Sequence, residues 1–377
     1  MSGNKKPTFV LLLGGMPNPR IYKRIEILKM ISDLHLICWD RGSRTLDLPV
    51  ENGYKIHIIS QNAVSDPVRR LIPYANFCKQ ARHIIANLVP DLIYLQGLDM
   101  LIFANAYKIV YPKTRIIYEV ADLHRLIVDK QKGFIRKLAH HALIFADRAC
   151  SKNVDLLVLT SEKYYDTYFS GFFSKERIFF FPNIPDLSIF RDYRKKDPNN
   201  TFTVGYIGAV RYKQQIRQLM DAVEICGLNI FIAGFEKDGD EIEQRCKAYP
   251  KGEWFGRFDF GRQAAELYSK CDVIYSVYDA DLKNVRIALP NKLYEAIHCE
   301  TPLIVAKNTY LSELVDRWQV GIAVDHTSTE ELVEVLTKLQ RHPECYEFYV
   351  QNCRKHKNDF DLYSYNVALE ERIIKTL

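Results

Sequence analysis

Apolar positions in the first half of the chain fall into short continuous runs. Longer stretches, with apolar residues every three or four positions, separate them. The runs predict strands at Thr8–Leu13, Leu34–Cys38, Lys55–Ile59, Leu92–Leu95, Arg115–Val120, Leu156–Thr160 and Arg177–Phe181. Uninterrupted apolar strands joined by helices indicate a parallel sheet covered on both faces. The alternation stops at Arg191–Asn200, RDYRKKDPNN, a charged, proline-containing segment that reads as a linker. It then restarts. Strands are expected at Thr203–Ile207, Asn229–Ala233, Cys271–Val277, Leu303–Val305 and Gly321–Val324. Helices fit Gln215–Cys226, Asp240–Ala248, Gln263–Ser269, Asn291–His298, Leu311–Trp318 and Thr329–Leu339, and the tail after His342 reads as wholly helical. The expected fold is α/β: two doubly wound parallel-sheet units in tandem, the first over residues 1–190 and the second beginning at 201.

Each unit opens with a strand that ends in glycine, Gly14-Gly15 and then Gly208. Ligands of open parallel sheets bind beyond the carboxyl ends of the strands. Two such units facing each other would form a cleft suited to two substrates, one per domain.

Composition narrows the class. The 377 residues are 47% hydrophobic and 26% charged, an ordinary globular balance that excludes collagen-like and wholly disordered chains. No apolar run approaches the roughly 20 residues that cross a bilayer. The opening MSGNKKPTFVLLLGG has the basic-then-apolar order of a signal peptide. Its apolar run is short and lacks a small-residue cleavage pattern, so it reads as a first buried strand. The nine cysteines are scattered and form no Cys-x-x-Cys pair, which argues against a zinc site or disulfide scaffold and suits a reducing cytosol.

Charge adds an asymmetry. Residues 1–200 hold 30 Lys and Arg against 19 Asp and Glu, whereas residues 201–377 hold 22 against 27. A basic first half suits an anionic partner. Pro67–Leu88 and Lys132–Cys150 each combine an apolar stripe with cations, among them Arg69, Arg70, Arg136 and Lys137. Each stripe is expected to face the core, leaving the bases in solvent. No nucleic-acid recognition motif is present.

Candidate chemistry concentrates in two segments of the second half. In Val204-Gly-Tyr-Ile-Gly208-Ala-Val-Arg211-Tyr-Lys213 a strand runs through glycine toward a helix, where backbone and cations can meet an anion. In Asn284-Val-Arg286-Ile-Ala-Leu-Pro290-Asn291-Lys292-Leu-Tyr-Glu295, Pro290 fits the first turn of a helix. Asn291 and Lys292 then stand near its start, and Glu295 lies one turn inside. In the first half, Asp122 and His124 follow the Arg115–Val120 strand, where a cleft residue belongs, although an aspartate there also suits a helix cap.

Taken in order, these segments resemble family-4 retaining glycosyltransferases of the GT-B fold, of the bacterial capsule, O-antigen and exopolysaccharide type. Ala288-Leu-Pro-Asn-Lys-Leu-Tyr-Glu295 is similar to the "PNKL(F/Y)E" motif. Asn18-Pro-Arg20-Ile-Tyr-Lys, Pro90-Asp-Leu-Ile-Tyr-Leu, Tyr118-Glu-Val-Ala-Asp122-Leu-His124 and Phe181-Pro-Asn-Ile-Pro-Asp186 resemble successive family segments across almost the whole chain. Two positions depart from the pattern. Ile287 stands where a sugar-contacting Glu is usual, and Ala209 where an Arg usually follows the loop glycine.

The resemblance implies a nucleotide-diphosphate sugar, UDP- or GDP-linked, held by Gly208, Arg211, Lys213, Asn284, Arg286, Asn291, Lys292 and Glu295. It implies Gly14, Gly15 and Arg20 in the cleft, with Asp122 and His124 as the catalytic candidates. It implies no metal cofactor and a lipid-linked glycan acceptor. A basic first domain would lie on an anionic membrane, at the cytoplasmic face. The second domain would span 201–358, and a helix over 359–377 would return to the first. The alternatives are a non-catalytic nucleotide- or glycan-binding scaffold, and an epimerase or phosphorylase of the same fold.

Overall fold

The computed structural model describes residues 6–42, 53–62, 70–128, 133–195, 201–236 and 239–377. The chain divides into one unit of Met1–Pro182 with Tyr363–Leu377 and a second of Asn183–Leu362.

The first unit is built on a seven-stranded sheet: β1 (Thr8–Leu13), β2 (Asp33–Asp40), β3 (Tyr54–Ser60), β4 (Leu92–Gln96), β5 (Arg115–Val120), β6 (Leu156–Leu159) and β7 (Ile178–Phe180). The order is β3-β2-β1-β4-β5-β6-β7, and every pairing is parallel. Phe9 to Leu12 in β1 and Leu92 to Leu95 in β4 are fully buried, which is why these strands are continuous apolar runs. Strand order reverses between β1 and β4.

The second unit has a six-stranded sheet: β8 (Thr203–Ile207), β9 (Asn229–Ala233), β10 (Gly252–Gly256), β11 (Val273–Ser276), β12 (Leu303–Ala306) and β13 (Gly321–Val324). It is also parallel throughout, in the order β10-β9-β8-β11-β12-β13, and reverses between β8 and β11. Helices Lys213–Cys226 and Thr329–Arg341 pack together and share one apolar core with β8, β9 and β11.

Residues 183–190 group with the second unit, ahead of the expected linker. Phe190 stacks edge-on against Tyr268 at 5.4 Å and lies 5.5 Å from the His298 ring, so the segment is anchored there. Of the expected linker, residues 196–200 lie outside the described residues. The tail is two helices, Pro343–His356 and Leu362–Ile374. The second packs into the first unit: Leu369 and Ile373 are fully buried, Tyr365 lies 5.7 Å from the Phe181 ring, and the Arg372 guanidinium donates to the Glu176 carbonyl.

The helix Phe134–Ser151 corrects an expectation. Its apolar stripe does not face the core: Phe134 is 82%, Ile135 81%, Leu138 62% and Phe145 75% exposed. The residues it buries are Asp147 and Ser151, where it packs on the helix Leu98–Val110. The helix Leu71–Leu88 is divided. Phe77, Ala81 and Ile85 are buried, while Leu71 and Ile72 in its first turn are exposed. Among the described residues, no helix is long and apolar enough to cross a membrane.

Candidate functional site

In the second unit the loops that leave β8 and β11 flank the point of strand reversal, where an open parallel sheet binds its ligand. Gly208 ends β8 with φ at +143°, a conformation that L side chains rarely adopt. A Cβ placed on it would lie 3.3 Å from Lys292 Nζ. The lysine amine therefore sits directly over the bare turn. No described acidic side chain pairs with it, and none pairs with the exposed Arg211. The fold thus brings Gly208 and Lys292 together from segments far apart in sequence.

Other expected groups are committed to neighbours. Lys213 forms an ion pair with Glu236 at 2.9 Å. The Glu236 carboxylate is buried and accepts the backbone N–H groups of Ile242 (2.8 Å) and Glu243 (3.1 Å). Arg286 donates to the Ala280 carbonyl and lies 3.8 Å from Asp281. Asn291 caps the helix Lys292–His298 with its carbonyl, accepting from Tyr294 and Glu295. Glu295 is only 2% exposed and accepts the Tyr268 hydroxyl at 2.7 Å. That phenol is raised well above its ordinary range, first by burial and then by the Glu295 charge. Asn284 Oδ1 is buried with no hydrogen-bond partner among the described residues, and Ile287 is buried beside it in sequence.

Asp279, Asp281 and His326 were missed from the sequence. One ligand atom from each lies within 4.8 Å of the others, so these are described residues that could hold a cation. Asp279-Ala-Asp281 is legible as an acidic pair; His326 joins it only because β13 ends beside β11's loop. Tyr212 and Tyr278, with ring centroids 5.3 Å apart, tie the β8 and β11 loops together.

In the first unit, Asp122 and His124 are both exposed just beyond β5. Asp122 accepts the hydroxyl of buried Tyr164 at 3.3 Å. Burial and then the Asp122 charge push that phenol up, while the Arg20 charge draws it down. The adjacent Glu119 is turned inward. Arg24 binds it through two nitrogens at 2.9 and 3.1 Å, and Tyr94 donates to it as well. Burial opposes its ionisation, yet Arg24 holds its carboxyl below the usual range. Gly14 and Gly15 follow β1. Arg136 and Lys137 are exposed on the helix Phe134–Ser151, and Arg70 is half-buried at the start of the helix Leu71–Leu88. Arg69 lies outside the described residues.

These two Rossmann-like parallel-sheet units, with a helix returning to the first, define the GT-B class, and solved structures agree. Anabaena HepE in complex with UDP and glucose matches with a TM-score of 0.71 at 16% identity, over 98% of this chain and 100% of that one. Sucrose-phosphate synthase from Thermosynechococcus elongatus matches with a TM-score of 0.75 at 13% identity, over 98% and 99%. WaaG, a glycosyltransferase involved in lipopolysaccharide biosynthesis, matches with a TM-score of 0.69 at 15% identity, over 97% and 98%. Residues 189–356, which lie wholly within the second unit, match the family model described as glycosyl transferases group 1. The succinoglycan biosynthesis protein ExoL of Rhizobium meliloti (strain 1021) is 22% identical over 271 residues. That match covers 68% of this chain and 65% of the relative, just under two thirds of its length.

Proposed function

We propose that the protein is a retaining glycosyltransferase. It moves a sugar from a nucleotide-diphosphate donor, UDP- or GDP-linked, to a lipid-linked glycan in bacterial surface polysaccharide synthesis. The observation that carries this reading is the Lys292 amine over the Gly208 turn, at the reversal point of the unit that matches the group 1 family. A bare backbone lets a diphosphate approach, and an amine with no carboxylate partner among the described residues can stabilise the charge that builds on it as it leaves. Arg211, exposed in the same loop, adds to that field. UDP in the HepE complexes and the polysaccharide context of ExoL support the donor and acceptor classes. Asp122, hydrogen-bonded to Tyr164, orients or deprotonates the acceptor hydroxyl, and His124 is the second candidate for that role.

Protein cations serve the leaving group, so the transfer runs without a metal cofactor. The first unit docks on an anionic membrane at the cytoplasmic face. The outward apolar side chains of the helix Phe134–Ser151, beside Arg136 and Lys137, support that contact.

Thermal shift with UDP, GDP, ADP, CMP and their common sugars, with and without magnesium, tests the reading. A ligand that binds the folded state raises the melting temperature by mass action. A selective rise with one nucleotide is expected. A flat panel removes the donor site. A rise only with magnesium moves the diphosphate to Asp279, Asp281 and His326. The second reading is a non-catalytic binding module. The engagement of Lys213, Arg286 and Glu295 by neighbours favours it, and UDP binding without sugar turnover would establish it.

A further inference from the structure

The first unit carries a polar pair that the assignments above leave unused. Arg41 follows β2, and Asp99 stands in the first turn of the helix Leu98–Val110, just after β4. These strands flank β1 on either side, at the reversal of strand order. Arg41 Nη2 is 3.7 Å from Asp99 Oδ2, close enough to attract and too far to hydrogen-bond. Each group therefore keeps hydrogen-bonding capacity, and each is partly open to solvent.

Both are held in place from behind. The Arg41 guanidinium lies over the Trp39 ring, 4.4 Å from its centroid. Trp39 is itself buried, and its indole N–H donates to the Gln61 carbonyl at 3.0 Å. Asp99 Oδ1 accepts the Met100 N–H at 3.0 Å, and Tyr74 donates to the Asp99 carbonyl at 2.8 Å. Oδ2 is left facing Arg41. Among the described residues, Arg41 Nε is buried without a hydrogen-bond partner, an unmet donor that costs stability until something accepts from it. The space is kept clear at Gly14, where a Cβ would lie 3.0 Å from Asp99 Oδ2 and 3.4 Å from Arg41 Nη2.

An anion meets the Asp99 charge here, and a cation meets Arg41 and the nearby Arg70 charge. A neutral group that both donates and accepts satisfies the pair. We propose that Arg41 and Asp99 form a saccharide subsite, in which one sugar hydroxyl donates to Asp99 Oδ2 and accepts from the Arg41 guanidinium. The inference rests on the glycosyl-transfer reading and deepens it, since the saccharide is the acceptor glycan.

Saturation-transfer NMR on the full chain, with free glucose, galactose, N-acetylglucosamine and inorganic phosphate as probes, tests it. Wild-type protein should transfer saturation to at least one sugar. Asp99→Asn and Arg41→Gln should weaken that binding by about tenfold or more. Their melting temperatures report whether they fold, and Gly14→Ala, which puts a methyl group against Oδ2, is the reserve variant. Saturation that survives these substitutions overturns the proposal. So does displacement of the sugar by phosphate, or the absence of any sugar signal from protein that binds UDP. UDP binding to the wild type, measured on the same sample, reports the nucleotide reading separately.

Discussion

An amine beside a bare turn is a small feature with a large consequence, because charge without a partner is what a diphosphate needs. Lys292→Ala should weaken UDP binding about tenfold, the ordinary loss for a charge-assisted contact; calorimetric titration checks it. Gly208→Ala should do the same by a different route, since the added methyl group meets the lysine at 3.3 Å on a backbone at φ +143°. Both residues were legible in the sequence, as a strand-end glycine and a motif lysine. Their contact was not, because 83 intervening positions of sheet and helix bring them together. In the first unit, Asp122→Asn should lower turnover by about a hundredfold with donor affinity kept, the usual scale for a general base. Initial-rate kinetics separates the two. Glu119, three residues earlier, illustrates the limit of spacing arguments. It lies in the strand that leads to Asp122, yet the arginine that claims it comes from the helix Pro19–Ile31.

At the scale of elements, the helix Phe134–Ser151 inverts the usual amphipathic logic, exposing phenylalanines and burying an aspartate. Periodicity showed that a stripe exists but not which way it turns, because periodicity is the same for a core-facing and an outward-facing stripe. Replacing Phe134 and Phe145 with Ser and reversing the charge of Arg136 and Lys137 should each reduce sedimentation with phosphatidylglycerol vesicles. Only the first should also reduce residual binding to phosphatidylcholine. Unchanged sedimentation in both would end the membrane assignment. Asp147 on the same helix has its carboxyl pushed up to about 6 by burial. Neither oxygen makes a well-formed hydrogen bond, although Tyr118 and Tyr168 lie close enough to draw the value back in part. A raised carboxyl means that the folded state holds its proton more tightly than the unfolded state does. Stability should therefore fall as pH rises from about 4 to about 6 and stay lower above that. Asp147→Asn should remove this decline and add about 2 kcal/mol at pH 7, read by urea unfolding across that window.

The strands tell a similar story. Nine of the twelve expected in the sequence are buried through most of their length, and continuous apolar runs reveal such strands directly. β10, Gly252–Gly256, was missed. It is an edge strand with no fully buried residue, so its sequence carries neither an apolar run nor a clean alternation.

The described residues form two parallel-sheet units, the first completed by residues 363–377. Removing residues 363–377 should lower the stability of the first unit by several kcal/mol, through loss of the buried Leu369 and Ile373. The second unit should be left nearly unchanged. Hydrogen exchange resolves the two, and equal loosening of both would contradict the division. The same method should show UDP protecting amides around Gly208 and Lys292 and sparing the first sheet. Fold class was legible at this scale because strand–helix alternation survives without any knowledge of loops. The Arg41–Asp99 and Asp279–Asp281–His326 groupings were not, since they depend on which loops meet at the strand ends.

The returning helix also sets a timetable. A ribosome delivers residues 183–362 before it delivers 363–377, so the later-encoded unit has its full complement of residues while the earlier one still lacks its last helix. Until that helix arrives, Phe181 and its neighbours beside β7 have no Tyr365 to cover them. Nascent chains should hold the first sheet open to chaperones and proteases until residues 363–377 emerge, and a pause or truncation before residue 363 would strand it there.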